Sequence, residues 1–293
     1  MQRLTGMLLG LALLLGGWGL ARAQENSEAA MPPPKVLVIF REFVKPGKSG
    51  SMHERTESNF VRAMTKAKWP THYLAVTSMS GRSRALFLTP YDSFEAWEKD
   101  NLAAMKDTGL SASLDSASAT DGELLSETDQ TVAVYSEEYS LRANVDIAHM
   151  RYFEIEVFRV KPGHRKDWDE AAKLVKAAYD KIPDAHWATY EVVYGPQQGT
   201  TYILFSALKS ASEIDHELTE DKDFMEAMGE DGMKRLSEIE ATALEPGQSN
   251  LFSFSPSMSY PPAEWIKADP EFWKPKMPMH PASSKAPAAK PAQ

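Results

Sequence analysis

The sequence predicts an α+β protein in which a unit of about one hundred residues, ordered β-α-β-β-α-β, occurs twice. One observation is a repeated turn, since Val44-Lys45-Pro46-Gly47 recurs as Val160-Lys161-Pro162-Gly163. A second is the apolar segment before each turn, which has the composition of a β-strand. A third is that further landmarks follow both turns in the same order. A duplicated unit accounts for all three.

The elements of the two copies can be matched in chain order. The first strands are 36–43 and 152–158, and each is followed by a helical segment, which in the second copy places Trp168, Ala171, Val175 and Tyr179 on one face. A proline and a histidine precede each second strand, at Pro70 to His72 and Pro183 to His186. The remaining matched segments are the third strands 85–89 and 201–206, the starts of the second helices 93–97 and 212–216, and the fourth strands around 135–140 and 254–259.

This order of elements is that of a ferredoxin-like unit, whose antiparallel sheet carries helices on one face only. Two such units can cover each other's open sheets, so we expect an intrachain, pseudo-dimeric α/β barrel in a monomeric protein. The expected organisation is a signal peptide at 1–23, a polar and proline-containing spacer at 24–34, ferredoxin-like repeats at 35–145 and 146–260, and a disordered Pro/Ala/Lys-rich tail at 261–293. Trp265, Phe272 and Trp273 offer an alternative for the tail, in which its aromatic side chains pack onto the body.

Residues 1–23 have the features of a cleavable signal peptide. They contain Arg3, an uncharged stretch rich in leucine, and Ala21-Arg22-Ala23 before Gln24. A retained membrane anchor is the alternative, because the uncharged stretch reaches the lower end of the length that spans a bilayer. The glycines within the uncharged stretch, and the lack of a basic cluster after Ala23, favour cleavage. We therefore expect an exported protein, periplasmic or extracellular, with no transmembrane segment in the mature chain.

Composition excludes several classes of function. The chain has no cysteine, so it has neither disulfide bonds nor thiolate metal ligands. Residues 1–23 contain two of the 32 basic residues and none of the 41 acidic ones, so their removal changes the formal charge from −9 to −11. Such a charge repels phosphate backbones. Nucleic acid is therefore not an expected partner, whereas a small organic ligand is.

The Lys-Pro-Gly turns after the first strands and Ser93-Phe94-Glu95-Ala96-Trp97 at the second helix give the chain a resemblance to a known superfamily. Over residues 35–260 it resembles the dimeric α/β-barrel superfamily, and within it the NIPSNAP-like and antibiotic-biosynthesis-monooxygenase-like proteins. The resemblance implies the fold. It does not imply one activity, because that superfamily includes monooxygenases, haem enzymes, isomerases and members with no known reaction.

Two glutamates on the first strand of the second copy are candidate ligand-binding residues. Strand alternation places Phe153, Ile155 and Val157 on one side, and Glu154 and Glu156 on the other. If the apolar side packs on the helices, the glutamates face the space between the two sheets, where they could bind a cation or act as a base. The alternative is that they lie on an open, solvated sheet face.

Four further residues complete the candidate ligand pocket: His72, His186, Tyr190 and Tyr202. The two histidines begin the second strands and could act as acid or base near neutral pH. A half-exposed imidazole at a strand end is the alternative, and tyrosine is also an ordinary strand residue. Only the second copy has the acidic pair on its first strand, which suggests a site in the second half.

No metal site and no cofactor are expected. Haem-degrading relatives of this fold pair a tryptophan near the start of the second helix with a histidine about three turns later. This chain has Trp97 in that context, but Asp107 stands near the histidine position and His216 replaces the tryptophan in the second copy. Haem degradation is therefore not expected, and Trp97 is interpreted as core packing.

Three functions stay open at this point. The leading one is binding of a small molecule between the two sheets, near Glu154, Glu156, His186 and Tyr190. The second, implied by the resemblance, is a cofactor-independent monooxygenase-like enzyme acting on an aromatic or quinone-like substrate. The third is a structural or interaction module of the cell envelope.

Overall fold

The fold is known from a computed structural model that describes residues 30–196 and 199–274. The proposed signal peptide at 1–23, most of the spacer, and residues 275–293 lie outside the described residues. None of the described helices is long and apolar enough to cross a membrane.

Seven elements form the first half of the chain. They are β1 (Val36–Val44), α1 (Ser51–Ala67), β2 (Leu74–Ser78), β3 (Arg84–Tyr91), α2 (Phe94–Lys106), α3 (Thr108–Gly122) and β4 (Leu125–Leu141). After one 3-10 turn at Ile147–His149, the second half contains β5 (Tyr152–Val160), α4 (Arg165–Tyr179), β6 (Trp187–Tyr194), β7 (Thr200–Leu208), α5 (Ser212–Ala243) and β8 (Gln248–Phe254). The repeated Lys-Pro-Gly turns place Gly47 at φ +76° and Gly163 at φ +88°, a backbone conformation that favours glycine.

The eight strands close into one antiparallel barrel in the order β1-β3-β2-β8-β5-β7-β6-β4. Within the first half the neighbours run β4-β1-β3-β2, and within the second half β8-β5-β7-β6, so both halves follow the same internal order. The halves join where β2 pairs with β8 and where β4 pairs with β6. The expected α+β class with a closed antiparallel barrel is therefore confirmed.

The interior of the barrel is a hydrophobic core to which both halves contribute. Alternate residues point inward, among them Leu37 and Ile39 of β1, and Phe153 and Ile155 of β5. The apolar side of β5 does not pack on the helices, as one of the two sequence-based alternatives supposed. It packs inside the barrel instead, because the apolar faces of the two halves bury each other. Glu154 and Glu156 consequently belong to the outer face of the wall.

Helices cover the outside of the barrel, with α1 against α3 over the first half and α4 against α5 over the second. Side-chain caps fix two of the helix starts. Ser93 accepts a hydrogen bond from the Ala96 amide, and Asp107 accepts one from the Leu110 amide. Asp107 thus both ends α2 and begins α3, which sets the angle at which α3 returns to the barrel wall.

The segment after β8 differs from the expected disordered tail. Residues Ala263–Ala268 and Pro270–Trp273 form helices α6 and α7. Trp273 is 3% exposed, packs against the barrel core, and donates a hydrogen bond from Nε1 to the Ala148 carbonyl at 2.9 Å. Arg151 pairs with Asp269 and lies over the Phe272 ring. The aromatic residues overcome the low apolar content of the segment, so 261–274 packs onto the body.

Candidate functional site

A cavity of about 380 Å³ lies between the outer face of the first-half wall and helices α1 and α3. Most of its wall is apolar, formed by Phe40, Phe60, Met64, Phe87 and Leu125. Polar groups also line it, namely Glu42, Glu57, Tyr73, Thr89, Ser118, Asp121 and Thr128. An apolar cavity with a few converging polar groups is the usual form of a small-molecule site.

Strand and helix periodicity place these side chains. Leu37 and Ile39 of β1 point into the barrel, so Phe40 and Glu42 on the alternate positions point toward the helices. On α1, the spacing of His53, Glu57 and Met64 puts the three side chains on one stripe that faces the wall. The last turn of α3 adds Asp121 from the opposite side.

Four buried polar side chains meet at one end of the cavity, and we call them the His-carboxylate cluster: Glu42, His53, Glu57 and Asp121. Their exposures are 4%, 3%, 2% and 1%, respectively. Nε2 of His53 lies 2.9 Å from Oε2 of Glu42, 3.6 Å from Oδ1 of Asp121 and 3.9 Å from Oε1 of Glu57. One ligand atom from each side chain lies within 4.8 Å of all the others.

The cluster leaves buried oxygens without hydrogen bonds. Oε1 of Glu57, Oδ2 of Asp121 and the hydroxyl of Tyr73 have no partner among the described residues. Thr56 supports the cluster from outside, since its hydroxyl lies 2.5 Å from Oδ1 of Asp121 and 2.8 Å from the His53 carbonyl. Because an unpaired buried polar group costs about 1–3 kcal/mol, these oxygens favour a bound proton, cation or ligand group.

Burial and mutual repulsion shift the acidity of the cluster. Burial, followed by the charges of Glu42 and Asp121 and a hydrogen bond with Asp121, raises the pKa of Glu57 to about 10. Burial also raises the pKa of Glu42, with a further increase from Asp121 and an opposing effect of the hydrogen bond from His53. Burial raises the pKa of Tyr73, and the charges of Glu57 and Glu42 add to the increase. Without a cation, Glu57 is therefore neutral at pH 7 and can donate a hydrogen bond to Asp121.

The six residues suggested by the sequence lie in different environments. Tyr190 is 3% exposed within the barrel interior, whereas Glu154, which accepts a hydrogen bond from Ser249 at 2.6 Å, and Glu156 are on the outer face. Tyr202 is buried under α4, stacked on Trp168 with ring centroids 4.5 Å apart. The structure does not bring these four together.

Both predicted histidines lie at strand ends. The ring nitrogens of His186 lie 2.7 Å from the Asp184 carbonyl and 2.8 Å from the Ala207 carbonyl. Nδ1 of His72 lies 3.2 Å from the Tyr260 carbonyl, and the ring centroids of His72 and Tyr260 are 4.5 Å apart. Binding of a ligand by any of the six residues stays a prediction.

The cavity lies in the first half, and the corresponding place in the second half is filled with aromatic rings. When the repeated turns are matched, Phe158 stands at the position of Glu42. Phe158 packs on Trp168, which stacks on Tyr202. Trp97 packs against the small core of Val36, Val38 and Val132, in agreement with the core role expected for it.

Sequence reasoning missed the His-carboxylate cluster. One local signal was available, because His53 and Glu57 are four residues apart and share a helical face. Glu42 and Asp121 lie 11 and 68 residues from His53 along the chain and share no local motif with it. Their meeting depends on α3 returning to the wall beside α1, which no local pattern specifies.

The closed eight-stranded antiparallel barrel with helices outside it is the fold that the resemblance implied, so that expectation is confirmed. Solved structures with similarity to the chain include an anthrone oxidase-like protein, with a TM-score of 0.48, 15% identity, and coverage of 75% of this chain and 92% of that one. A candidate monooxygenase of Fusobacterium nucleatum has a TM-score of 0.48, 11% identity, and coverage of 76% and 94%. A mutant chlorite dismutase of Candidatus Nitrospira defluvii has a TM-score of 0.47, 9% identity, and coverage of 83% and 99%.

No family model matches the sequence, and no curated protein matches it.

Proposed function

We propose that this protein binds a small aromatic molecule in the first-half cavity, with the polar end of the molecule toward Tyr73 and Glu57. The observation that carries this proposal is the cavity of about 380 Å³ with aromatic walls and unpaired polar atoms at one end. An apolar cavity of about 150 Å³ can bind benzene. The larger volume here suits a molecule of about two fused rings.

The walls and the polar end make separate contributions to binding. The rings of Phe40, Phe60 and Phe87 offer apolar surface for an aromatic ligand. A hydroxyl or carbonyl group on the ligand would pair with the Tyr73 hydroxyl or with Oε1 of Glu57, both of which lack a hydrogen-bond partner among the described residues. Pairing would remove the cost of leaving those groups buried and unsatisfied.

A titration of the full chain with a fluorescent naphthol tests the proposal. Ser118 lines the cavity and is exposed on α3, so Ser118→Trp is expected to block the entrance and weaken binding at least tenfold. Ala119→Trp is the matched control, since Ala119 is the exposed neighbour and does not line the cavity. Equal affinities of the wild-type protein and Ser118→Trp would contradict the proposal, as would an absence of binding to the wild type.

A monooxygenase-like enzyme is a second candidate, favoured by the acid–base groups beside the cavity. His53 and Glu42, 2.9 Å apart, form a pair that could remove a proton from a phenolic substrate, and neutral Glu57 could return one. Oxygen uptake with aromatic or quinone-like substrates distinguishes turnover from binding. Uptake that Glu42→Gln abolishes would favour the enzyme, whereas naphthol binding without oxygen uptake would favour the binding protein.

Three features of the whole chain belong to the same proposal. We infer that the two halves are duplicated ferredoxin-like repeats, that residues 1–23 direct export to the periplasm or beyond and are removed, and that the mature protein is a monomer. The repeated turn, the composition of residues 1–23 and closure of the barrel within one chain support these inferences. N-terminal sequencing and light scattering of protein from its native compartment test the last two: an N-terminus at Met1, or a dimer mass, would contradict them.

A further inference from the structure

The His-carboxylate cluster holds more charge than the binding of an aromatic molecule requires. Glu42, Glu57 and Asp121 are three buried carboxyl groups, and His53 is the only basic side chain that pairs with them in the described parts of the chain. Buried charges are ordinarily paired with an opposite charge, neutralised by protons, or bound to metal. A divalent cation at the centre of the cluster would displace the proton held by Glu57 and offset two of the three negative charges that then remain.

We propose that Nε2 of His53 and one carboxylate oxygen each of Glu42, Glu57 and Asp121 bind a single divalent first-row transition-metal ion of the Mn²⁺, Fe²⁺ or Zn²⁺ type. This site goes beyond the proposed function, which needs no metal.

The spacing of the ligand atoms suits such an ion. Metal–ligand distances of about 2.1 Å place neighbouring ligands of an octahedral ion about 3.0 Å apart and opposite ones about 4.2 Å apart. His53 Nε2 lies 2.9 Å from Glu42, 3.6 Å from Asp121 and 3.9 Å from Glu57, and all four ligand atoms lie within 4.8 Å of one another. The four atoms therefore need to approach one another only slightly to reach one ion.

The unpaired oxygens are a second observation, independent of the count of acidic residues. The side chains of Glu57 and Asp121 are only 3% and 2% exposed, yet Glu57 Oε1 and Asp121 Oδ2 have no hydrogen-bond partner among the described residues. The Thr56 hydroxyl, 2.5 Å away, holds Oδ1 of Asp121, the oxygen that lies 3.6 Å from Nε2 of His53. Outer hydrogen bonds of this kind orient metal ligands in proteins. The two unpaired oxygens are therefore available to share a proton or to bind a cation.

The chemistry of the donors selects the class of metal. One imidazole nitrogen with three carboxylate oxygens suits Mn²⁺, Fe²⁺ and Zn²⁺, whereas Mg²⁺ and Ca²⁺ prefer all-oxygen sites. Four protein ligands leave coordination positions of a six-coordinate ion open. Glu42, Glu57 and Asp121 all line the cavity. In so far as the proposed function holds, an oxygen atom of the aromatic ligand would therefore complete the coordination.

The test is equilibrium dialysis of chelator-treated full-length protein against Mn²⁺ or Zn²⁺. We expect about one equivalent of metal per chain. The affinity should fall more than tenfold in Glu57→Gln and in Asp121→Asn, because each change keeps the shape of the side chain but removes the negative charge of a ligand. Glu191→Gln is the matched control, because Glu191 is a half-buried carboxyl on β6 of the other half that pairs with Arg165 and lies outside both the cluster and the cavity. It is expected to bind metal as the wild type does.

Thermal unfolding shows whether each variant still folds. Binding to the native state raises the unfolding temperature. Metal should therefore raise it in the wild type and in Glu191→Gln, but not in Glu57→Gln or Asp121→Asn, which are expected to fold without metal. Wild-type protein that takes up no metal overturns the proposal, as do Glu57→Gln and Asp121→Asn variants that bind metal as tightly as the wild type. Naphthol binding that persists without metal leaves the proposed function standing, so the two failures are distinguishable.

Discussion

At the level of single residues, the site depends on the side of the wall to which each strand residue points. The sequence correctly predicted the alternation of side chains along β5, since Phe153 and Ile155 lie on one face of the strand and Glu154 and Glu156 on the other. The sidedness could not be read locally. It is set by the first half of the barrel, whose strands bury the apolar face of β5 inside and leave its polar face to the helices.

The same alternation places Glu42 toward α1, where it meets His53. The i, i+4 spacing of His53 and Glu57 could be predicted from sequence alone. The contributions of Glu42 and Asp121 could not, since they are 11 and 68 residues from His53 along the chain. Their contact results from the packing of α1 and α3 against one wall.

The raised pKa of Glu57 predicts how stability changes with pH in the metal-free protein. The folded pKa of about 10 exceeds the usual value of 4.5, so between those values the folded state holds a proton that the unfolded state has lost. The contribution of Glu57 to stability is therefore largest below about pH 4.5 and falls as pH rises toward 10, with a slope of about 1.4 kcal/mol per pH unit.

Glu57→Gln removes this titration, so the variant should lose less stability between pH 6 and pH 9 than the wild type. Urea unfolding of chelator-treated protein at a series of pH values measures the difference. Glu154→Gln, in the other half, serves as the control and should follow the wild type. Parallel pH profiles for Glu57→Gln and the wild type would show that Glu57 titrates normally.

At the level of elements, the segment after β8 shows how a few aromatic side chains decide whether a proline-rich stretch is ordered. Trp273 contacts the rings of Trp265 and Phe272, with centroids 5.1 and 4.9 Å away, and lies 6.5 Å from that of Phe254 in the barrel core. Average composition predicted a disordered tail. The burial of one tryptophan and its hydrogen bond to Ala148 outweighs that average.

Trp273→Ala is accordingly expected to lower the free energy of unfolding by about 3 kcal/mol, since it empties a buried aromatic site at the end of the barrel core. Met105→Ala, at a side chain 71% exposed on α2, is the control and should change stability by less than about 0.5 kcal/mol. Chemical denaturation measures both. Equal stabilities of the two variants would mean that α6 and α7 do not stabilise the barrel.

At the level of the whole molecule, the two halves share a strand order and a turn but differ in what lies between wall and helices. The first half holds the cavity and the His-carboxylate cluster, and the second half fills that place with Phe158, Trp168 and Tyr202. The repeat made the scaffold predictable from sequence. The location of the cavity could not be predicted from sequence, because the size of a gap depends on how side chains from separate elements pack.

The most direct test of the account is a crystal soaked with a brominated naphthol, measured at the bromine absorption edge. The account predicts one anomalous peak per chain in the first-half cavity, beside Phe87 and Tyr73 and between β1, α1 and α3. A peak inside the barrel or under α4 in the second half, with none in this cavity, would contradict it.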